Sequence, residues 1–536
     1  MAVSKLIATL IDSSLPEKIK IEEGEKIKVN TVISKAAYIY ENVRTAIDYN
    51  EEHLIRKNAI YRILKRKLVL EKMILENYLL DKFHQDEIAR QLLQELIRGR
   101  YLENNVPVKL VGKVDGILSK YSKLLKEVKE KQGRVDHDLF NFLLEMQAVE
   151  IESAVIPQKK EKAAIRAMFS VMNPRVTFVN VQVDEKEKEM QVYLGVHRAL
   201  YKWDDAMIHH LLLNLYYPAW KNADENLIAK IASKINKVKA EIEKQTNHPW
   251  RKNILKLLQK QAIVFWIMQD VIEANPEKAH EIFSDKETLT AEVQKACEKR
   301  YKQASVKLRR GVVRSIVYVF FTKMILALAI EFPADIYLSG AINYVTAVTN
   351  ILFPPVLMFL VAILIRLPRK ENTEMIVKTI NEITFDKKIE REFKLKDTRK
   401  QGKAMRFVFN SIYGLTFIFS LMVLFSFLHR LGFNVFSSLI FILFLTLVSF
   451  FGIRIRRPIK DLMVIDTRDS LIGIIVDFFA LPFVSMGRIM SEKFSKLNVI
   501  AFFMDIIIEA PFKLLIELVE DLFSFLREKK EDVLVE

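Results

Sequence analysis

Cysteine is almost absent: Cys297 stands alone in 536 residues. That excludes an internal disulfide and any cysteine-rich zinc or iron–sulfur centre, and suits a reducing compartment. Glycine is sparse as well, and its 14 residues are scattered. None forms Gly-x-Gly or Gly-Lys-Ser/Thr, so phosphate-cradling loops are missing, and Gly112-Lys-Val-Asp-Gly116 is not a nucleotide motif. There is no Gly-x-Ser-x-Gly elbow and no His-Glu-x-x-His pair. No residue is therefore assigned a catalytic role, no cofactor is expected, and whether the chain is an enzyme stays open, with a non-enzyme favoured. Long apolar runs are missing from the first three hundred residues. Ala262-Ile-Val-Phe-Trp-Ile-Met268 is seven residues long, too short for about 30 Å of hydrocarbon, and reads as a core helix.

What is present is segregated. Lys, Arg, Asp and Glu crowd residues 1 to 311, and nearly all long apolar runs lie beyond Val312. The formal charge is +16. Basic residues that flank apolar spans follow the positive-inside bias and attract anionic lipid, which argues against nucleic acid as the partner.

The fold class expected is mainly α: a helical cytoplasmic domain with one β-hairpin, then a multi-pass α-helical transmembrane domain. Residues 1–285 form the cytoplasmic domain. Its opening, Met1 to Asp12, reads as an amphipathic helix rather than a removed signal peptide. From Thr31 to Leu102, and again over about 84–100, 108–131, 137–151 and 158–171, apolar positions recur at helical spacing. Helices resume over about 204–218, 224–245 and 249–274. One stretch differs. Arg175-Val-Thr-Phe-Val-Asn-Val-Gln-Val-Asp184, the tip Glu185-Lys-Glu-Lys188 and Glu189-Met-Gln-Val-Tyr-Leu194 read as a hairpin over 175–194. Asp285 with Thr288 should cap a basic stalk helix, 286–312, that runs directly into the membrane. Unbroken to Phe332, it would be about 70 Å long.

Four segments qualify as spans: about 313–331, 343–365, 405–428 and 435–453. They group as a first transmembrane hairpin, 313–365, a basic cytoplasmic loop, 366–404, and a second hairpin, 405–453. Lys299, Arg300, Lys302, Lys307, Arg309 and Arg310 precede the first span, and Arg454, Arg456 and Arg457 follow the fourth. The turn Glu331 to Gly340 holds no Lys or Arg, so both termini are expected in the cytoplasm of a cell-membrane protein. The same nine basic side chains are the expected contacts for anionic headgroups. Residues 454–536 are expected to hold interfacial or re-entrant helices, over 471–490 and 499–515, and a cytoplasmic C-terminus.

Lys323 falls near the middle of the first span, where an unpaired charge is costly. Asp477, Asp505 and Glu509 are its candidate partners. Asp505, Glu509, Lys513, Glu517 and Asp521 form a stripe at steps of four, with Glu509 placed to pair with Lys513. Pro354-Pro355 is a candidate break in the second span. In the soluble half, Asp205, His209 and His210 are weak metal candidates that a helix start explains as well, and Asp136-His137-Asp138 fits capping.

The function expected first is a membrane-anchored scaffold or interaction protein, with protein partners on its cytoplasmic domain. The alternative is a channel, transporter or transporter subunit that uses the intramembrane charges. A membrane-bound enzyme ranks third.

Overall fold

A computed structural model describes residues 5–14, 26–27, 29, 38, 41, 52–74, 85–179, 184–339, 344–363, 365–385, 392–396, 403–465, 481–490, 522 and 525. These are mainly helical, with two sheets of two strands each. The chain divides into two compact units. One comprises residues 12–176, 182–255 and 499–536; the other comprises 1–11, 177–181 and 256–498.

The first unit is a helical bundle built on amphipathic stripes. On Lys109–Gln132, Val114, Ile117, Leu118, Tyr121, Leu124 and Val128 recur every three or four residues and are buried. Gly133 ends that helix in the left-handed region, φ 75°, where its N–H donates to the Lys129 carbonyl and a side chain would be strained. Asp204 and Asp224 begin later helices by accepting from Met207 N at 3.0 Å and Leu227 N at 2.9 Å. One apolar core joins Ile60, Leu92, Tyr121, Leu143, Ile208 and Trp220. Inside it Glu150 pairs with Lys120 and accepts from Trp220 Nε1 at 3.1 Å. Burial pushes the Lys120 ammonium down despite the neighbouring Glu150 carboxylate.

The hairpin expected over 175–194 is not what this stretch adopts. Val176–Val179 is a strand, but Glu185–Tyr201 is helix. Asp184 caps it, accepting from Lys186 N at 3.2 Å, and Glu185 and Glu187 complement the partial positive charge of its first turn. The supposed tip is thus a helix start. Val176–Val179 pairs instead with Phe393–Lys396, more than two hundred residues on.

Among its described residues the second unit holds four helices long and apolar enough to cross a membrane: Lys286–Tyr337, Tyr344–Ile363, Phe407–Arg430 and Val435–Lys460. Its main helices are α1 (Lys286–Leu326), α2 (Tyr344–Ile363), α3 (Lys370–Phe385), α4 (Lys403–Arg430) and α5 (Val435–Lys460). Asp285 caps α1 as expected, accepting from Thr288 N at 2.8 Å and Thr288 Oγ1 at 2.6 Å. Past Leu326 the helix continues through one π turn, Ala327–Glu331, and Phe332–Ser339. The run Ala262–Met268 is buried apart from Trp266, which is half-buried.

Helices α1, α2 and α5 pack together, and α4 packs on α5. Val319, Met358, Phe444 and Val448 form one apolar cluster between the first three; Leu428, Phe433, Phe441 and Ile442 form a second. Gly452 permits close approach to α2, since a Cβ there would lie 2.6 Å from Val361 Cγ1. Helix α3, inside the expected basic loop, packs on the stalk part of α1. Its Asn372 side chain donates to Tyr301 Oη and to the Leu462 carbonyl, both at 2.9 Å, and accepts from Val464 N at 2.8 Å. One buried amide therefore ties α1, α3 and the end of α5 together.

Pro354 and Pro355 do not break α2, which runs through both. Each removes the amide that would pair with a carbonyl four residues earlier, those of Asn350 and Ile351. Both prolines are buried, and helices tolerate such losses where neighbours supply polar partners. Residues 481–490 are helical and lie against the middle of α5. There Thr446 Oγ1 is 3.8 Å from Met490 Sδ, and Tyr413 Oη is 3.0 Å from Ser485 Oγ.

Candidate functional site

Three charged side chains between Val312 and Val464 are buried among the described residues, and all three lie on one face of the first long apolar helix: Lys323, Glu331 and Asp335. Lys323 is fully buried and pairs with Glu331, itself 2% exposed. The pairing depends on the shape of the helix. At about 100° per residue, eight α-helical residues would leave Glu331 about 80° round the axis from Lys323. The wider π turn takes up that offset. Pro333 supplies a cause for the turn: its ring has no N–H for the Ala329 carbonyl and crowds it, which a locally widened helix relieves.

Neighbouring helices complete the site. Asn350 of α2 donates its Nδ2 to Glu331 Oε2 at 2.7 Å and lies 3.5 Å from the Ser437 carbonyl of α5. Asp335, one turn beyond Glu331, accepts from Asn434 Nδ2 and from Ser437 Oγ at 3.3 Å. Asn434 also caps α5, accepting from Ser437 N at 2.7 Å. The Lys323 ammonium lies 4.9 Å from the centre of the Phe444 ring, a cation–π distance. One polar atom of the cluster has no hydrogen-bond partner among the described residues: Asn350 Oδ1, on a residue 1% exposed. Buried polar atoms of that kind are uncommon and costly.

Lys323 therefore has its partner in Glu331, the last residue of the expected first span. Its expected partners Asp477, Asp505 and Glu509, together with Lys513, lie outside the described residues. Of the nine basic residues expected at headgroups, Arg300 is engaged by protein: it bonds Asp270 at 2.6 and 2.9 Å and lies 5.4 Å from the Trp266 ring. Lys299, Lys302, Lys307, Arg309, Arg310, Arg454, Arg456 and Arg457 are exposed.

The soluble constellation separates. Asp205 accepts from Arg251 at 2.7 Å and Arg198 at 3.2 Å. His210 lies 3.5 Å from Glu150 and bonds Asn214, while His209 packs on Phe142 with ring centres 5.0 Å apart. Burial lowers the His209 pKa. Among the described residues no group of three or more His, Cys, Asp or Glu side chains is placed to hold a metal. Asp136 precedes the helix His137–Val155 with extended backbone, and Asp138 pairs with Lys239.

Compared with family models, curated proteins and solved structures, the chain matches none.

Proposed function

We propose that this chain is a multi-pass membrane protein that anchors a helical interaction domain. The supporting observation is the division into one unit with its own large apolar core and another that carries all four apolar helices. In the proposed topology both termini are cytoplasmic, because the basic clusters 299–310 and 454–457 flank the same ends of the spans. The exposed Lys302, Lys307, Arg309, Arg310, Arg456 and Arg457 then lie at the level of anionic headgroups, each contributing about 1 kcal/mol, weakened by salt. Lys323, which by itself would argue for a polar route, is neutralised by Glu331.

Reconstitution tests this reading. Proteoliposomes of the full chain should pass ions and small fluorescent solutes no faster than empty vesicles. Photo-crosslinkers on exposed positions within residues 184–255 should trap one recurrent partner in cells, and that partner should co-purify with the full chain but not with residues 256–536 expressed alone. Saturable flux that Lys323→Met abolishes would move the function to transport. That second reading has one observation in its favour: the orphaned oxygen of Asn350, whose amide nitrogen bonds the Glu331 of the ion pair.

A further inference from the structure

We propose that the cluster around Glu331, Asp335 and Asn350 binds one alkali cation, Na⁺ or K⁺. Charge gives the first argument. Among the described residues the cluster contains one ammonium, Lys323, and two carboxylates, Glu331 and Asp335, all at most 6% exposed. Its formal balance is −1. The two carboxylates sit one helical turn apart, where like charges repel, and burial removes the water that would screen them. The ammonium is committed to Glu331 Oε1, while Asp335 has only the neutral donors Asn434 and Ser437.

Unmet oxygen supplies the second, independent argument. Asn350 is 1% exposed; its Nδ2 faces Glu331 and the Ser437 carbonyl, and its Oδ1 faces no donor. The Ser437 hydroxyl, 3.3 Å from Asp335 Oδ1, and the Ser437 carbonyl, 3.5 Å from Asn350 Nδ2, add two further oxygens. Pro354 takes away the amide that would face the Asn350 carbonyl. Carboxylate, amide, hydroxyl and carbonyl oxygens are the ligand set of a hard cation. A single positive charge completes the balance, whereas a divalent ion would reverse it. A proton on either carboxylate would also restore the charge, but would leave Asn350 Oδ1 without a partner.

The site does not depend on transport: a cation held permanently in an anchor and one in transit would bind the same atoms. Flux measurements and binding measurements therefore fail independently.

The test uses the purified full-length protein in lipid nanodiscs, melted in NaCl, KCl or choline chloride at constant ionic strength. Na⁺ or K⁺ should raise the melting temperature along a saturable curve that choline does not reproduce. Asp335→Asn, which removes the excess negative charge and keeps the side chain's shape, should shift the midpoint of that curve at least tenfold and raise the melting temperature in choline. Asp270→Asn, outside the cluster, should leave the curve unchanged. If Asp335→Asn fails to fold, equilibrium binding of radioactive Na⁺ or K⁺ to the unmodified protein decides, with about one ion per chain expected. Identical melting in all three salts, or stabilisation by acid alone in choline, would overturn the proposal.

Discussion

Glu331→Gln is the most informative single substitution in the bundle. It preserves the volume of the side chain and an oxygen for Asn350 Nδ2, but removes the charge that faces Lys323. Lys323 is 0% exposed and Glu331 2% exposed, so the remaining ammonium has no access to water. Breaking one side of a buried ion pair costs about 3–5 kcal/mol, because the surviving charge stays desolvated and unpaired. Lys323→Met should cost a similar amount, leaving the carboxylate with the Asn350 amide alone. The double variant should cost much less than the sum, since it leaves neither charge stranded, and a coupling of at least about 2 kcal/mol is expected between residues in direct contact. Reversible denaturation in mixed micelles, with all four proteins measured under one condition, gives the cycle. Single costs below about 1 kcal/mol, or costs that add within about 0.5 kcal/mol, would show that the two side chains do not meet in the folded protein.

Three further outcomes are expected. Burial, with Arg198 adding repulsion, pushes the His197 imidazole down to about 3, and neither ring nitrogen has a partner. The unfolded chain takes up that proton near about 6.5, so stability should fall as pH drops from there towards 3, by up to about 4 kcal/mol, and be flat above neutrality; His197→Phe should flatten the acid limb in melts followed by amide exchange of residues 185–201. Gly487→Ala should lower the melting temperature, since the new Cβ would stand 2.2 Å from the Thr446 carbonyl oxygen, whereas Gly414→Ala, with nothing within 4 Å, should not. The buried Cys297 thiol, pushed up to about 12 chiefly by desolvation, should resist maleimide at neutral pH and react only on unfolding.

The sequence made some of this architecture plain and hid the rest for identifiable reasons. Apolar windows long enough to cross a bilayer are strong signals, and so is an Asp285–Thr288 cap ahead of a helix; both features are present in the structure. Glu331 was hidden because a constant helical repeat turns it about 80° away from Lys323, at the last residue of the expected span, where the turn begins. Pro333, two residues later, was the available clue that the repeat changes there. The β-branched run at 176–179 drew attention away from Asp184, Glu185 and Glu187, a cap and acidic first turn that open a helix. Its true strand partner, Phe393-Lys-Leu-Lys396, alternates apolar and basic residues inside a segment read only for its charge. Arg300 looked like every other basic residue of the stalk, because Asp270 and Trp266 lie on a different helix thirty or so residues earlier.

The long helix fixes a phase as well as a span. Leu289, Val293 and Cys297 are buried on its stalk, and Val312, Val319 and Lys323 are buried farther along, with no loop between them to absorb a change of register. A single residue inserted near Gly311 would turn one set by about 100° against the other, while seven residues, close to two full turns, would restore the alignment within about 20°. The stalk thus behaves as a keyed shaft, tolerant of added length in whole turns and intolerant of it in fractions.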